Sequence, residues 1–382
     1  MRLLSLLVAA CALVSGSAAA RTRRQSGPSA CQDFAKRNGT CGIIQDCPPL
    51  YRLVANGRRP TGEEISNLRR SQCGERGRRL LVCCATESGD GPFTGPPEQH
   101  PNRAVLESGK ACGLNFAGRI IGGTEVPLGK FPWVALLGYT EAPSEEVRYE
   151  CGGTLIGRQY VLTAAHCVSG LPFGFQLKTV RLGEHDLSQP IDCQNSATGE
   201  RVCNVPPQDF TVVKAIVHED YDVPARFMND IALLKLDRPV IEGNFVSKVC
   251  LPFGDVGRQN FTGVNLTVAG FGRTGPTVVS SKSDVLLEVR VPGVDQEACG
   301  DTVRQLNGTL GPQQICVGGE TGRDSCRGDS GGPLVWSAVS GPPYSLIGVV
   351  SFGFIHCGFP GVPSVNTRVS EYLNWILDRV DG

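Results

Sequence analysis

The sequence predicts an all-β body of the antiparallel β-barrel type, preceded by a small disulfide-rich domain, and three observations lead to this prediction. From about residue 120 onward, short apolar or alternating runs are separated by Gly and Pro, which is typical of β-barrels. One helical spacing of apolar residues stands out, close to the C-terminus. Six cysteines lie within residues 31–84, a segment too short to bury a stable apolar core without covalent bridges.

The chain begins with the features of a secretory signal, and its 382 residues suggest two or more domains after it. Arg2 is followed by an apolar run over residues 3–14 and by small residues ending at Ala20, which predicts a signal peptide over residues 1–20. The run is too short to cross a membrane, and no later run is long enough. We therefore expect a secreted protein with no membrane partner.

Residues 21–30 form a short N-terminal segment before the first cysteine of the small domain. Its Arg-Thr-Arg-Arg stretch, residues 21–24, is either a dibasic processing site that leaves Gln25 first or a solvated basic stretch. The formal net charge of the chain is zero, from 37 basic and 37 acidic residues. Because the N-terminal basic residues are scattered, we expect no nucleic-acid partner.

The number of cysteines indicates a disulfide framework. Of the 17 cysteines, Cys11 leaves with the signal peptide, and the even remainder in a secreted chain predicts eight disulfides. Metal binding is the alternative, but it needs clustered Cys and His pairs that are missing here. The spacing does not choose a pairing for the first six, which are Cys31, Cys41, Cys47, Cys73, Cys83 and Cys84.

Residues 85–119 connect the small domain to the larger body. The Gly- and Pro-rich part of this segment packs poorly by itself, which predicts an exposed linker. Strands are predicted further on, at 133–137, 153–156, 211–217, 231–236, 266–269, 286–291 and 346–351. The terminal helix is predicted after Ser370 as its N-cap, from the spacing of Tyr372, Leu373, Ile376, Leu377 and Val380.

Three short motifs carry the chemistry of the larger body. His166 follows an apolar run in Thr-Ala-Ala-His-Cys, Asp230 begins an apolar run, and Ser330 lies in Gly-Asp-Ser-Gly-Gly-Pro. A serine hydroxyl needs a neighbouring base and a carboxylate that orients this base before it can attack a carbonyl. Taken singly, each motif also fits an ordinary role, as a turn, a packed histidine or a strand cap.

The order His, Asp, Ser along the chain resembles that of the chymotrypsin-like serine proteases, and the resemblance covers residues 120–382. It implies two six-stranded antiparallel barrels, with His166, Asp230 and Ser330 at their junction. It also implies that the amides of Gly328 and Ser330 form the oxyanion hole, and that catalysis needs no cofactor.

Residues 118–123, Gly-Arg-Ile-Ile-Gly-Gly, lie where this family is activated by cleavage, here between Arg119 and Ile120. The new ammonium of Ile120 would pair with Asp329 and order the oxyanion hole, since a buried charge left half-paired is costly. The resemblance therefore implies a zymogen.

The six-cysteine segment, residues 31–84, resembles the clip domain of arthropod clip-domain serine proteases. Together the two resemblances imply eight disulfides, with the clip chain held to the catalytic chain by the fourth of these: Cys31–Cys83, Cys41–Cys73, Cys47–Cys84, Cys112–Cys250, Cys151–Cys167, Cys193–Cys203, Cys299–Cys316 and Cys326–Cys357.

Substrate binding follows from the same resemblance. Asp324 lies at the base of the implied primary pocket, where a carboxylate selects Arg or Lys. Gly353 and Gly361 leave room in its walls, and Ser351 supports the Asp230 carboxylate. Phe352 and Pro363 replace the residues that are usual in trypsin-like enzymes, and Arg327 would lie near the mouth of the cleft. These differences affect which substrate residues the enzyme prefers beside the cleavage site.

Two kinds of modification or ligand site are also implied. One loop resembles the calcium site of clip-domain proteases, which implies a structural Ca²⁺ bound through hard oxygen ligands. The implied ligands in this loop are Glu184, Asp186, Gln189 and Asp192. Four glycosylation sequons are permitted in a secreted chain and begin at Asn38, Asn260, Asn265 and Asn307.

The combined expectation is a secreted endopeptidase zymogen of an arthropod haemolymph cascade in innate immunity. Its implied partners are a protein substrate, either prophenoloxidase in melanisation or a cytokine precursor of the Toll pathway, an upstream trypsin-like activating protease and a serpin-type inhibitor. The alternative is a clip-domain protease homologue that regulates by binding alone, a group that typically lacks the serine present here at Ser330.

Overall fold

The computed structural model describes residues 30–32, 38–51, 62–76, 79–85, 93–115, 126–195, 199–273, 281–321, 328–338, 341–353 and 358–381. The chain divides into two compact units, residues 1–91 and residues 92–382. Among the helices of these described ranges, none has the length and apolar character needed to cross a membrane.

The first unit is a four-stranded antiparallel sheet with strand order β1-β2-β4-β3. Cys41 in β2 lies opposite Cys83 in β4 in the register of the sheet. The elements of this unit are β1 (Ala30–Gln32), β2 (Asn38–Ile43), a 3₁₀ turn (Ile44–Asp46), α1 (Pro48–Tyr51), α2 (Gly62–Arg70), β3 (Gln72–Arg76) and β4 (Arg79–Ala85).

Disulfides supply the stability that this small sheet lacks. Its apolar cluster centres on Cys47, Leu50 and Val82, which is too little apolar surface to hold a unit of this size together. The structure forms three bridges, in the pairing that the clip resemblance implies: Cys31–Cys83, Cys41–Cys73 and Cys47–Cys84.

The second unit contains a closed barrel of six antiparallel strands in the order β11-β12-β7-β6-β5-β8. A separate hairpin, β9 (Cys193–Asn195) and β10 (Arg201–Cys203), is closed by the Cys193–Cys203 bridge. The barrel strands are β5 (Val134–Glu141), β6 (Arg148–Gly157), β7 (Tyr160–Thr163), β8 (Phe175–Leu182), β11 (Gln208–Val217) and β12 (Ala232–Leu236).

The other six strands form a sheet in the order β14-β13-β16-β17-β18-β15. Its two ends approach through the bridge between Gly293 and Val317, so the second predicted barrel is present as a half-barrel. Its strands are β13 (Asn265–Gly270), β14 (Leu287–Pro292), β15 (Gln314–Gly318), β16 (Pro333–Trp336), β17 (Ser345–Phe352) and β18 (Pro363–Arg368).

Helices are few among the described residues of the second unit. The predicted terminal helix consists of a 3₁₀ turn (Val369–Tyr372) followed by α6 (Leu373–Leu377), and Ser370 accepts a hydrogen bond from Arg368 Nε instead of capping it. Helix α5 (Gln296–Gln305) was not predicted, because its buried face is short. The sequence feature that indicates this helix is Asp295 at its N-cap. The Asp295 carboxylate accepts hydrogen bonds from the backbone amides of Glu297 and Ala298. Another short helix is α4 (Asp255–Arg258).

Part of the predicted exposed linker is packed against the larger body, which corrects the sequence-based expectation for residues 93–115. This stretch holds a 3₁₀ turn (Pro97–Gln99) and α3 (Arg103–Glu107), and it buries His100 and Leu106. The Cys112–Cys250 bridge joins it to the loop after β12. The error arose because Gly and Pro predict local breaks but carry no information on distant packing partners.

Asn102 of this packed stretch satisfies main-chain groups at the end of the chain. Its Nδ2 donates to the carbonyls of Leu377 and Val380 at 3.0 and 3.1 Å, and such carbonyls have no partner inside a helix. We expect Asn102→Ala to lower the free energy of unfolding by about 1–2 kcal/mol, and so to lower the melting temperature by about 2–8 °C. Thermal unfolding checks this against Asn244→Ala, an exposed control; equal melting temperatures for the two variants would contradict it.

Candidate active site

His166 lies on a 3₁₀ turn (Ala165–Cys167) directly after β7, whose four residues are all buried. The Cys151–Cys167 bridge ties this turn to β6. The hydroxyl of Tyr139 donates to the carbonyl of Cys167 at 2.7 Å. The imidazole is therefore held on a rigid support at the end of a buried strand.

Asp230 precedes β12 and is fully buried. Its Oδ1 accepts the backbone N–H of His166 at 2.9 Å, and its Oδ2 lies 2.8 Å from His166 Nδ1. The hydroxyl of Ser351 also donates to Oδ2, and Thr367 Oγ1 donates to the Asp230 carbonyl. Since a carboxylate only accepts, the imidazole proton is on Nδ1, and Nε2 is left as an acceptor.

Ser330 lies in the tight turn before β16, and close packing explains the glycines around it. Gly328 and Gly331 have φ values of +106° and +78°, which favour glycine. A Cβ on Gly331 would lie 2.2 Å from Thr163 Oγ1. The Ser330 carbonyl accepts the N–H of Gly152 at 2.7 Å, which joins the serine turn to the barrel strand β6.

The serine turn and the histidine turn meet at one sulfur atom. Cys167 Sγ lies 3.7 Å from His166 Nε2 and 3.6 Å from the Ser330 carbonyl oxygen. Cys151, His166 and Cys167 bring potential metal-ligand atoms within 4.8 Å of one another. Because both sulfurs belong to one disulfide, neither is a thiolate, and this cluster does not suit a metal ion.

Asp329 occupies a cradle of glycines. Gly272 N–H donates to Asp329 Oδ1 at 2.9 Å. A Cβ on Gly270 or on Gly272 would approach the Asp329 carboxylate to 2.3 Å, so the carboxylate would have to shift. These two glycines were not predicted as functional, because only the fold brings them to the residue beside Ser330.

The residues expected to bind substrate lie partly within the described ranges. Ser351 is buried in β17, whereas Gly353, just after this strand, and Gly361 are exposed. A Cβ on Gly361 would meet no atom within 4 Å, and one on Gly353 would meet only Ser364 Cβ at 3.9 Å. Five other predicted site residues lie outside the described ranges: Asp324, Arg119, Ile120, Cys326 and Cys357.

An aromatic pair beside the catalytic histidine was also not predicted as part of the site. Phe227 contacts the His166 ring edge to face, with centroids 6.1 Å apart, and stacks on Phe352 at 4.9 Å. The Arg226 guanidinium lies 4.7 Å from the Phe227 ring. Phe227 precedes Asp230 by three residues, but no feature of the sequence shows that its ring turns toward His166.

The loop assigned to calcium places two carboxylates in buried positions. Burial is the largest cause that raises the pKa of both Glu184 and Asp192, and the charge of Asp192 raises the pKa of Glu184 further. Arg181 Nη1 lies 3.2 Å from Glu184. Asp192 Oδ1 is buried without a hydrogen-bond partner, so a hard cation would satisfy an oxygen that is otherwise costly to bury.

The other two predicted calcium ligands have different contacts. Asp186 Oδ1 accepts hydrogen bonds from the backbone and hydroxyl of Ser188, and Gln189 N–H donates to the Asp186 carbonyl. Within the described ranges, the carboxylates of Glu184, Asp186 and Asp192 do not converge to within 4.8 Å. The buried oxygen of Asp192 therefore fits Ca²⁺, whereas the Glu184 oxygens accept from Arg181 and from the N–H of His185, and the Asp186 side chain caps its own turn.

A structural Ca²⁺ held by Asp192 predicts a metal-dependent melting temperature. We expect millimolar Ca²⁺ to raise it by about 2–4 °C, and Asp192→Asn to abolish this increase. Without Ca²⁺ this variant should be at least as stable as the native chain, because the cost of burying a carboxylate charge with one unsatisfied oxygen has been removed. Thermal unfolding with Ca²⁺ or chelator checks this; Asp255→Asn, at an exposed site, is the control. A Ca²⁺ effect that survives in Asp192→Asn would contradict the assignment.

The remaining predicted residues are placed as follows. Two more bridges of the implied pairing are formed, Cys151–Cys167 and Cys299–Cys316, and the second joins helix α5 to strand β15. Three sequon asparagines, Asn260, Asn265 and Asn307, are exposed, and Asn265 begins β13. The fourth, Asn38, begins β2.

Comparisons with known proteins agree with this geometry. A sequence profile described as Trypsin matches residues 120–376, and one described as the regulatory CLIP domain of proteinases matches residues 31–84. Melanization protease 1 of Drosophila melanogaster is 37% identical, covering 92% of both chains. Spaetzle-processing enzyme of the same species is 35% identical, covering 99% of this chain and 98% of its own.

A solved structure is similar along most of the chain. The crystal structure of the Drosophila Grass clip serine protease of the Toll pathway superposes with a TM-score of 0.61 at 32% identity. The match covers 92% of this chain and 97% of that one.

Proposed function

Because the chain belongs to the trypsin family of serine proteases and carries a CLIP domain, we propose that it is a secreted zymogen. Once activated, it cleaves proteins after Arg or Lys in an extracellular cascade. The observation that carries this proposal is the pair of hydrogen bonds from His166 to the buried Asp230, since they leave His166 Nε2 ready to take a proton.

The chemical step follows from this arrangement. His166 Nε2 removes the proton of the Ser330 hydroxyl as its oxygen attacks the substrate carbonyl, and Asp230 stabilises the imidazolium that forms. The amides of Gly328 and Ser330 stabilise the oxyanion. The protonated His166 then gives its proton to the leaving amine, and water attacks the acyl-enzyme by the same route in reverse.

Selection of a basic residue rests on Asp324, six positions before Ser330 in the sequence. A carboxylate at the base of a pocket attracts a cationic side chain. The open space beside Gly353 and Gly361 supports a pocket long enough for Arg or Lys. Residues 351–353 would hydrogen-bond the substrate backbone as an added strand.

Activation is proposed to depend on Asp329. Cleavage between Arg119 and Ile120 creates an ammonium, and its pairing with the Asp329 carboxylate would set the neighbouring Gly328 and Ser330 amides. The cradle of Gly270 and Gly272 supports this role, because it confines the carboxylate beside the serine turn.

The decisive experiment measures hydrolysis of matched Arg-, Lys- and Phe-terminated peptides before and after controlled cleavage at Arg119, with Ser330→Ala as control. We expect hydrolysis of the Arg and Lys peptides to appear only after cleavage, and to vanish in the alanine variant. If correctly cleaved and folded protein leaves all three peptides intact, the enzyme proposal fails. The chain would then act as a regulator that binds partners.

The role in innate immunity is proposed from the relatives, of which one is named for melanization and another for Spaetzle processing. Cleaved enzyme would be incubated separately with prophenoloxidase and with Spaetzle precursor, and the new N-termini would be sequenced. We expect cleavage after a basic residue in one of the two. If neither is cut by enzyme that hydrolyses Arg peptides, the cascade role fails while the peptidase assignment stands. A serpin-type inhibitor and an upstream trypsin-like activator complete the proposed set of partners.

A further inference from the structure

A cavity of ≈ 580 Å³ lies between α3, with the residues that follow it, and the barrel. One wall comes from residues 103–114, and the other from Ile156, residues 248–253 and Pro343. Its size lies in the range of small-molecule sites. None of its lining residues belongs to the catalytic set, so the cavity is separate from the proposed peptidase site.

The lining is predominantly apolar. Leu106 and Ile156 are buried on facing walls, and Leu251 and Phe253 extend the barrel side. The Cys112–Cys250 disulfide also lines the cavity and joins the two walls covalently. Such a surface favours a ligand with an apolar chain, because burial of apolar area is the main driving force for binding.

Hydrogen bonds hold the two walls at their present separation. Gly113 N–H donates to the Lys248 carbonyl at 2.8 Å, and Tyr344 N–H donates to the Gly113 carbonyl at 2.9 Å. The Arg103 guanidinium lies 4.7 Å from the Phe253 ring across the cavity. The cavity is therefore preformed, and a ligand would not have to order its walls.

The cavity has more basic than acidic groups. Arg103 is paired with Glu107 at 2.6 Å, which leaves Lys110 and Lys248 as further lining cations. Lys248 is only 2% exposed, and its ammonium donates to the Ser108 carbonyl. An ammonium has three donors. Glu242, the other acidic group near Lys248, does not line the cavity and accepts the backbone N–H of Lys110 at 3.0 Å.

We infer that this cavity binds a small amphiphile with an apolar chain and a single carboxylate, such as a medium-chain fatty acid. The chain lies along Leu106, Ile156 and Phe253, and the carboxylate accepts from the ammonium of Lys248. A ligand here contacts both the stretch before the activation site and the barrel, so its binding stabilises their association.

Calorimetric titration of the full-length zymogen with decanoate, below its micelle-forming concentration, tests this inference. We expect saturable binding of one molecule. Lys248→Met keeps most of the side-chain volume and removes the charge, so it should weaken decanoate binding by about tenfold or more. Binding of the uncharged analogue decanol should change by less than about threefold under the same substitution. Lys214→Met, at an exposed lysine on β11, is the matched control.

A second variant tests the position of the apolar chain. Ala111 lines the cavity and is exposed, so Ala111→Phe should fill part of the space without disturbing the core. This variant should lose binding of both decanoate and decanol while retaining peptide hydrolysis after activation. The inference is overturned if decanoate shows no saturable binding, or if either variant binds it as tightly as the native chain.

Discussion

Replacement of Asp230 by Asn lowers kcat on an Arg peptide by about 10⁴-fold. Asp230 Oδ1 accepts a hydrogen bond from the backbone N–H of His166, a group that can only donate. An Asn side chain must therefore keep its oxygen there and turn its NH₂ toward His166 Nδ1. The imidazole would then carry its proton on Nε2, where it can no longer accept the proton of Ser330.

The measurement is steady-state hydrolysis of an Arg peptide after cleavage at Arg119, with KM and the melting temperature determined alongside. KM should change little, because Asp230 is buried and does not touch substrate. Asp255→Asn makes the same chemical change at an exposed position and should leave kcat unaltered. A loss of kcat smaller than about tenfold would mean that Asp230 only packs the histidine turn.

Substitution of Gly272 by Ala should abolish most activity without touching any residue of the catalytic set. The new Cβ would lie 2.3–2.5 Å from the Asp329 carboxylate oxygens, so that Asp329 must move. Since the Asp329 carboxylate is proposed to set the neighbouring Gly328 and Ser330 amides, its displacement would disorder the oxyanion hole. We expect kcat/KM to fall by about 10²–10³-fold, the effect of losing one oxyanion donor.

Active-site titration and peptide hydrolysis, both after cleavage at Arg119, check this prediction. Gly243→Ala is the matched control, since a Cβ there meets nothing within 4 Å. Gly270→Ala should reproduce the loss, because its Cβ would approach Asp329 Oδ1 to 2.3 Å. Full activity of cleaved Gly272→Ala would show that the Asp329 carboxylate does not have to occupy this cradle.

The candidate catalytic residues could be predicted from the sequence because each lies in a short motif of distinctive composition. The structure joins His166 to Asp230 by two hydrogen bonds. It also brings the Ser330 turn against Cys167, the residue after His166. Phe227 could not be predicted in this way. Its position beside His166 accompanies positive φ values at Phe227 and Asn229, a local backbone conformation that no sequence motif indicates.

The fold was predictable to a similar extent. Apolar runs predicted the strands that carry the site, whereas the packing of residues 93–115 against the barrel was missed. Apolar periodicity reports which face of an element is buried but not what covers it. Leu106 and Asn102 illustrate this, since the barrel strand β6 and the end of the terminal helix, against which they pack, follow only much later in the chain.

The sequence by itself determined the class of fold, the two-domain organisation and the type of chemistry. These depend on local composition: spaced apolar runs, paired cysteines, and a serine, a histidine and an aspartate in short motifs. Only the tertiary structure decided that Gly270 and Gly272 confine Asp329, that Asp192 has an unpaired buried oxygen, and that a cavity opens beside Lys248. Each of these features depends on contacts between segments that barrel closure and sheet register bring together. Such contacts are not encoded in any single stretch of chain.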